Sequence, residues 1–149
     1  MDNRRILFVE DDAFKAERVR KCLDRIQRDL DVKLATSVQS AVSFLASDEF
    51  DLILLDMALP SHDLRPGGGS PSSLLSGGIE IIMELSFLER QEKVIVLTQY
   101  PEIEIEGELV AIDKAKAALE NICPINLVAT IQYKHEETDW ESTLIEAIG

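Results

Sequence analysis

The chain contains little that would staple, stiffen or anchor it. Its two cysteines, Cys22 and Cys123, lie far apart, which excludes a disulfide framework or a thiolate metal cluster as the basis of the fold. Apolar runs last only a few residues, too short to cross a bilayer, so no membrane role is expected. The N-terminal Met1-Asp2-Asn3-Arg4-Arg5 leads directly into a strand-like run, without an export-signal core or cleavage site. Positive charge is scarce: 15 Lys and Arg stand against 28 Asp and Glu, a net charge of −13. That balance excludes tracking a phosphate backbone, and nucleic acid is not an expected partner. A cytoplasmic, reduced protein is expected. The acidity itself reports solubility and identifies no partner.

What is present is globular. The 149 residues are 46% hydrophobic and 29% charged, enough for one domain over residues 1–149 with a substantial core. Ile6-Leu7-Phe8-Val9, Val32-Lys33-Leu34-Ala35, Asp51–Asp56, Val94-Ile95-Val96-Leu97 and Leu127–Tyr133 read as five strands. Helical stripes separate them. The first carries Val19, Leu23 and Ile26, with Phe14 near its start and Asp12 as its cap. The second carries Ala41, Phe44 and Leu45 behind Ser37; the third opens at Gly78 and carries Ile79, Ile82, Met83 and Leu85. A weaker fourth, near Asp113–Asn121, has Ala115, Ala118, Leu119 and Ile122 on one side, and the last carries Trp140, Leu144, Ile145 and Ile148. Strands alternating with helices imply right-handed crossovers and a doubly wound parallel sheet of α/β class, in the order 2-1-3-4-5.

Two connections exceed the usual length. Residues 61–78 hold five of the seven glycines and two of the five prolines, the composition of a mobile surface insertion (61–77) before the third helix. The stretch 99–113 includes Glu102-Ile103-Glu104-Ile105-Glu106, whose period of two suggests an extra edge strand, with an acidic loop as the alternative.

In an open parallel sheet, ligands bind beyond the carboxyl ends of the strands, where strand order reverses. Here the first strand delivers Glu10-Asp11-Asp12, the third Asp56, the fourth Thr98 and the fifth Lys134. Crowded carboxylates repel unless a cation compensates them, and Mg²⁺ is commonly held by one or two carboxylates with waters left for a phosphate. A carboxylate such as Asp56 can act as a nucleophile and form an acyl phosphate. A hydroxyl and an ammonium, Thr98 and Lys134, would suit phosphoryl oxygens.

These pieces resemble the receiver domains of two-component response regulators, the CheY-like fold. The matching stretches are "ILFVEDD" (6–12), "DLILLDMALP" (51–60), "GIEIIMEL" (78–85), "VIVLT" (94–98) and Lys134 after "VATIQY". The resemblance implies Asp56 as phosphoacceptor from a histidine kinase or phosphotransfer protein. It implies Mg²⁺ held by Asp11, Asp56 and the backbone carbonyl of Ala58, with Glu10 acting through water. Thr98 and Lys134 would be the switch hydroxyl and the lysine of the site. Beyond self-phosphotransfer and autodephosphorylation, no enzymatic turnover is expected. The chain stops just after the fifth helix, so output is expected through a separate protein or a domain absent from this chain.

The chain also departs from the family. Gln99 replaces a small residue, Ile131 stands where an aromatic usually rotates on activation, and His135 replaces a proline. Two rival functions follow. One is a receiver-fold binding module that does not use phosphorylation, favoured by those departures and both insertions. The other is a Mg²⁺-dependent phosphohydrolase with Asp56 as nucleophile, opposed by Ala58 where such enzymes generally carry a second acid. Blander roles suit other residues: Asp12 as a cap, His62 and His135 on the surface, Trp140 in the core. Thr98 alone could be only a strand former, and Lys134 a solvated loop residue. "GGGSPSSLLSGG" lacks the Gly-Lys-Ser/Thr ending of a phosphate cradle. The acids after the first strand would repel a flavin phosphate.

Overall fold

A computed structural model of the chain describes residues 4–26, 29–60, 73–74 and 77–149. Five strands form the central sheet: β1 (Arg4–Val9), β2 (Leu30–Ala35), β3 (Leu52–Leu55), β6 (Lys93–Thr98) and β9 (Asn126–Gln132). They are all parallel and lie in the order β2-β1-β3-β6-β9, which is 2-1-3-4-5 when only these five are counted. Helices α1 (Ala13–Asp24), α2 (Val38–Ser47), α3 (Gly77–Phe87) and α4 (Ile112–Ile122) supply the four crossovers, and α5 (Asp139–Ile148) follows the last strand and packs on the sheet.

The side-chain period of two along each strand divides the core. Leu7, Val9, Ile53, Leu55, Val94 and Val96 face one side and pack with Leu45, Ile81 and Leu119 of α2, α3 and α4. Ile6, Phe8, Leu52, Leu54, Ile95 and Leu97 face the other and pack with Val19, Leu23, Trp140 and Leu144 of α1 and α5. Burying one such side chain contributes about 1.5–3 kcal/mol. These rows therefore outweigh the helix caps, of which α4 and α5 have no side-chain example. The two-sided burial also explains the nearly unbroken apolar strands in the sequence.

On four helices one residue expected to face inward is exposed. Phe14 is 61% exposed, whereas the next residue, Lys15, points inward with Ala16, Val19, Cys22 and Leu23. On α3 the buried set is Gly77, Gly78, Ile81, Ile82 and Leu85, with Met83 exposed. On the last two helices Ile122 and Ile145 are exposed. In each case the other residues of the expected stripe are buried or partly buried against the core.

The 99–113 stretch is a hairpin rather than an added edge of the central sheet. β7 (Glu102–Ile105) and β8 (Glu108–Ala111) pair antiparallel as a separate two-stranded sheet. Its turn, Glu106-Gly107, has φ of 53° and 81°, the double left-handed geometry of a two-residue hairpin turn. The alternation buries Ile103 and Ile105 against the α2–α4 side of the core. The insertion after β3 is partly described: β4 (Leu59–Pro60) pairs antiparallel with β5 (Ser73–Leu74). Residues 61–72 and 75–76, on which most of the expected mobility falls, lie outside the described residues.

Candidate acid site at the strand ends

Adjacent strands bring the acids together. The Glu10 N–H donates to the Ala35 carbonyl of β2 at 2.9 Å, and the Asp56 N–H donates to the Val9 carbonyl of β1 at 3.0 Å. The sheet hydrogen bonding thus continues one residue past β1 and β3, delivering Glu10 and Asp56 side by side. Carboxylate oxygens of Glu10, Asp11 and Asp56 lie within 4.8 Å of one another. Glu10 and Asp56 are buried, at 1% and 4% exposure, while Asp11 faces solvent. Asp12 turns the chain away from this group. Its Oδ1 accepts the Phe14 and Lys15 N–H bonds at 2.9 and 3.1 Å and caps α1.

Asp56 is held from below by its own loop. Its Oδ1 accepts from the Met57 N–H at 2.7 Å and the Ala58 N–H at 3.5 Å. The loop is closed by α3, whose Gly78 N–H donates to the Met57 carbonyl at 2.9 Å. A Cβ at position 78 would stand 2.7 Å from the Asp56 carbonyl oxygen and 2.7 Å from the Met57 Cα. Glycine there is required by the close approach of two backbones.

A residue not foreseen from the sequence completes the group. Lys15 is 1% exposed; its ammonium lies 2.6 Å from Glu10 Oε1 and 3.5 Å from Asp56 Oδ2, and donates to the Leu97 carbonyl at 2.8 Å. The Tyr133 ring lies 5.4 Å away, within range for its π face to favour a cation. The position follows from helix geometry. Lys15 is in the first turn of α1, and helical side chains lean towards the N-terminus, which here is the edge of the acid cluster. A signal existed in the sequence: Lys15 precedes Val19 and Cys22 by four and seven residues on the inward stripe. A lysine there is anomalous both as a core residue and at the positive end of a helix.

Burial pushes the Glu10 carboxyl up to about 8, and the neighbouring Asp56 charge adds to the rise, while Lys15 opposes it. Oε2 of Glu10 accepts the Asp12 N–H at 3.2 Å. Oε1 has no hydrogen bond within normal angles despite its short ion pair with Lys15. A buried carboxylate oxygen lacking a hydrogen bond, in a set of three hard oxygen ligands, fits a divalent cation such as Mg²⁺.

Thr98, at the end of β6, is fully buried, and its hydroxyl accepts the Tyr100 N–H at 3.4 Å. Thr98, Met57 and Ala58 share the lining of a cavity of about 230 Å³ with Tyr100, Ile103 and Leu109, under the β7–β8 hairpin. Lys134 is half-exposed and pairs with Glu137 at 3.7 Å. Among the described residues no ion pair joins it to Asp56; the ammonium beside the acids is that of Lys15. The preceding residue, Tyr133, turns inward at 1% exposure, and its hydroxyl is 2.9 Å from His135 Nδ1 and 3.3 Å from Arg18. His135 stacks near Phe14 and Tyr133 and bonds no metal-ligand partner among the described residues.

A five-stranded doubly wound sheet with an aspartate buried in an acid cluster at its carboxyl edge defines a CheY-like receiver. The chain belongs to the response regulator receiver domain family, whose model matches residues 6–118. It is 36% identical to the Detocs response regulatory protein DtcB of Vibrio alginolyticus over 144 residues, covering 95% of this chain and 97% of that protein. A second DtcB, from Enterobacter cloacae, is 23% identical over 146 residues, covering 97% of each. Among solved structures, a CheY-like receiver protein from Methanospirillum hungatei superposes with a TM-score of 0.65 at 17% identity, covering 99% of this chain and 91% of that one. The response regulator TrrA of Thermotoga maritima, in complex with Mg²⁺ and BeF, superposes at 0.61 with 18% identity, covering 98% and 99%. The structural likenesses establish the shared fold. The chain is thus a two-component response-regulator receiver, and no helix among its described residues is long and apolar enough to cross a membrane.

Proposed function

We propose that Asp56 accepts a phosphoryl group from a histidine kinase or phosphotransfer protein, in a signalling system of the kind in which the DtcB relatives are named. The observation that carries this is the burial of Asp56 beside Glu10 and Asp11, with one oxygen fixed by two backbone amides. A carboxylate oxygen of Asp56 attacks phosphorus. The bond from phosphorus to the donor nitrogen breaks, its electron pair stays with the donor, and an acyl phosphate remains. Glu10, Asp11, Asp56 and the Ala58 carbonyl are the groups that would hold Mg²⁺, which when bound neutralises charge gathering on the phosphoryl oxygens. The buried Thr98 hydroxyl is the proposed protein contact of the new phosphoryl group. Lys134 remains a surface residue in this reading. Output runs through a binding partner or a further domain, and the protein signals rather than turning over substrate.

Incubation with Mg²⁺ and acetyl phosphate followed by intact mass measurement tests the proposal. One added phosphoryl group, absent in Asp56→Asn, is expected. An unchanged mass would favour a phosphorylation-independent binding module, a reading that Lys15 supports by filling the acid cluster with a built-in cation. Continuous phosphate release without an adduct would favour a phosphohydrolase.

A further inference from the structure

The ammonium of Lys15 occupies the oxygens that a divalent cation would need. Three carboxylates meet at the site and, among the described residues, only one basic side chain is buried with them. Lys15 reaches Glu10 Oε1 and Asp56 Oδ2 from one side and is fixed on the other by the Leu97 carbonyl. An ion pair this deeply buried is costly to desolvate, and hydrophobic groups of similar volume commonly replace such pairs without loss. Its stability value therefore gives no reason for a lysine here. Charge control of the acid cluster does.

We infer that Lys15 is a tethered counter-ion, which compensates the acid cluster when no metal is bound and is displaced from Glu10 when a divalent cation enters. This deepens the proposed function and rests on its metal-binding half. The ammonium and the metal compete for shared oxygens, so affinity for the metal is set lower than three carboxylates alone would give. The lysine is borne by α1 rather than by the segment after β9. Cation binding is thereby coupled to the first turn of α1, beside the exposed Phe14 and His135.

The test is a Mg²⁺ titration of the full chain without any phosphodonor, so that it reads the lysine independently of phosphotransfer. In the unaltered protein, the side-chain CεH₂ resonance of Lys15 is expected to shift on saturation, while that of Lys116, exposed on α4 and paired with Glu120, stays fixed. Lys15→Met is expected to bind Mg²⁺ about ten-fold or more tightly than the unaltered protein, the scale set by one like charge a few ångströms from the metal. Binding in Lys15→Met alone would support the inference equally. Equal or weaker binding in the variant, or a Lys15 resonance unmoved at saturation, would overturn it. If neither protein bound Mg²⁺, the inference would fail too, and phosphorylation of Asp56 would still be decided separately by the adduct mass. Should Lys15→Met fail to fold without metal, the resonance of the unaltered protein decides.

Discussion

The two halves of the strand-end edge are built differently. On the β1–β3 half, the buried polar groups are fixed: Asp56 by its loop amides, Glu10 by the Asp12 N–H and Lys15, and Lys15 by the Leu97 carbonyl. On the β6–β9 half, Thr98 opens onto a cavity, Tyr100 is 38% exposed, and Lys134 faces solvent with Glu137. The first half is preorganised around charge, as the proposed phosphoacceptor site requires. The second carries the β7–β8 hairpin after Thr98 and an aliphatic residue, Ile131, late in β9. A tightly fixed half, which holds the proposed acceptor Asp56, thus stands beside a more open one.

Lysine substitutions separate the halves most sharply. Without metal at pH 8, Lys15→Met is expected to cost about 3 kcal/mol or more, because it strands Glu10 beside Asp56. Lys134→Met, which breaks an exposed pair, is expected to cost under about 1 kcal/mol. Urea unfolding of both variants measures the contrast, and equal losses would show that the two lysines share one environment. Gly78→Ala comes next, at about 1–3 kcal/mol, since the added methyl meets not only the Met57 sulfur, which can turn away, but also the Asp56 and Met57 backbone, which cannot. It should also weaken Mg²⁺ binding by displacing the Asp56 loop; unaltered stability and affinity together would mean that α3 does not brace the acceptor.

A smaller effect comes from pH. The folded Glu10 carboxyl titrates at about 8, against 4.5 for its ordinary value. Between those values the folded state holds a proton that the unfolded chain has lost, so its stabilising contribution is present below about 4.5 and disappears as pH rises through 8. Metal-free protein should therefore melt at a higher temperature at pH 6 than at pH 8, and Glu10→Gln should flatten the difference. Parallel melting curves for the two proteins would place the proton elsewhere.

Much of the fold was legible because strands covered on both faces must be apolar throughout, and β1, β3 and β6 carry such runs, while the edge strands β2 and β9 mix apolar with polar residues. The acceptor end was legible for the same reason, since Glu10, Asp11 and Asp56 interrupt runs that should stay buried. Lys15 was missed because Phe14, a better core residue by type, competes for the same helical face. The N-cap at Asp12 decides it by fixing where the first turn begins, which puts Lys15 inward and Phe14 in solvent. Elsewhere only the margin of a helix face was misjudged: Ile81 and Met83 are alike in hydrophobicity, and residue type alone does not tell that the first is buried and the second exposed. The Glu-Ile alternation of 102–106 specified a strand but not its partner. The Glu106-Gly107 turn supplies that partner locally, so the strand never reaches the central sheet.

The contrast between the fixed half, with Asp56 as the proposed acceptor, and the more open β6–β9 half is tested most directly by amide chemical shifts with Mg²⁺, before and after addition of beryllofluoride. Linkage requires a two-state element that the mimic biases, and Ile131 has no ring to swing. Large changes are expected at Asp56, Met57, Thr98 and Gln99, with a secondary set at Tyr100, whose partly exposed ring borders the Thr98 cavity. Changes at Glu141 and Ile145, on the outer face of α5, should be small. Large shifts along α5, lost again in Tyr133→Ala, would contradict this and show that the buried ring of Tyr133 carries the signal after all.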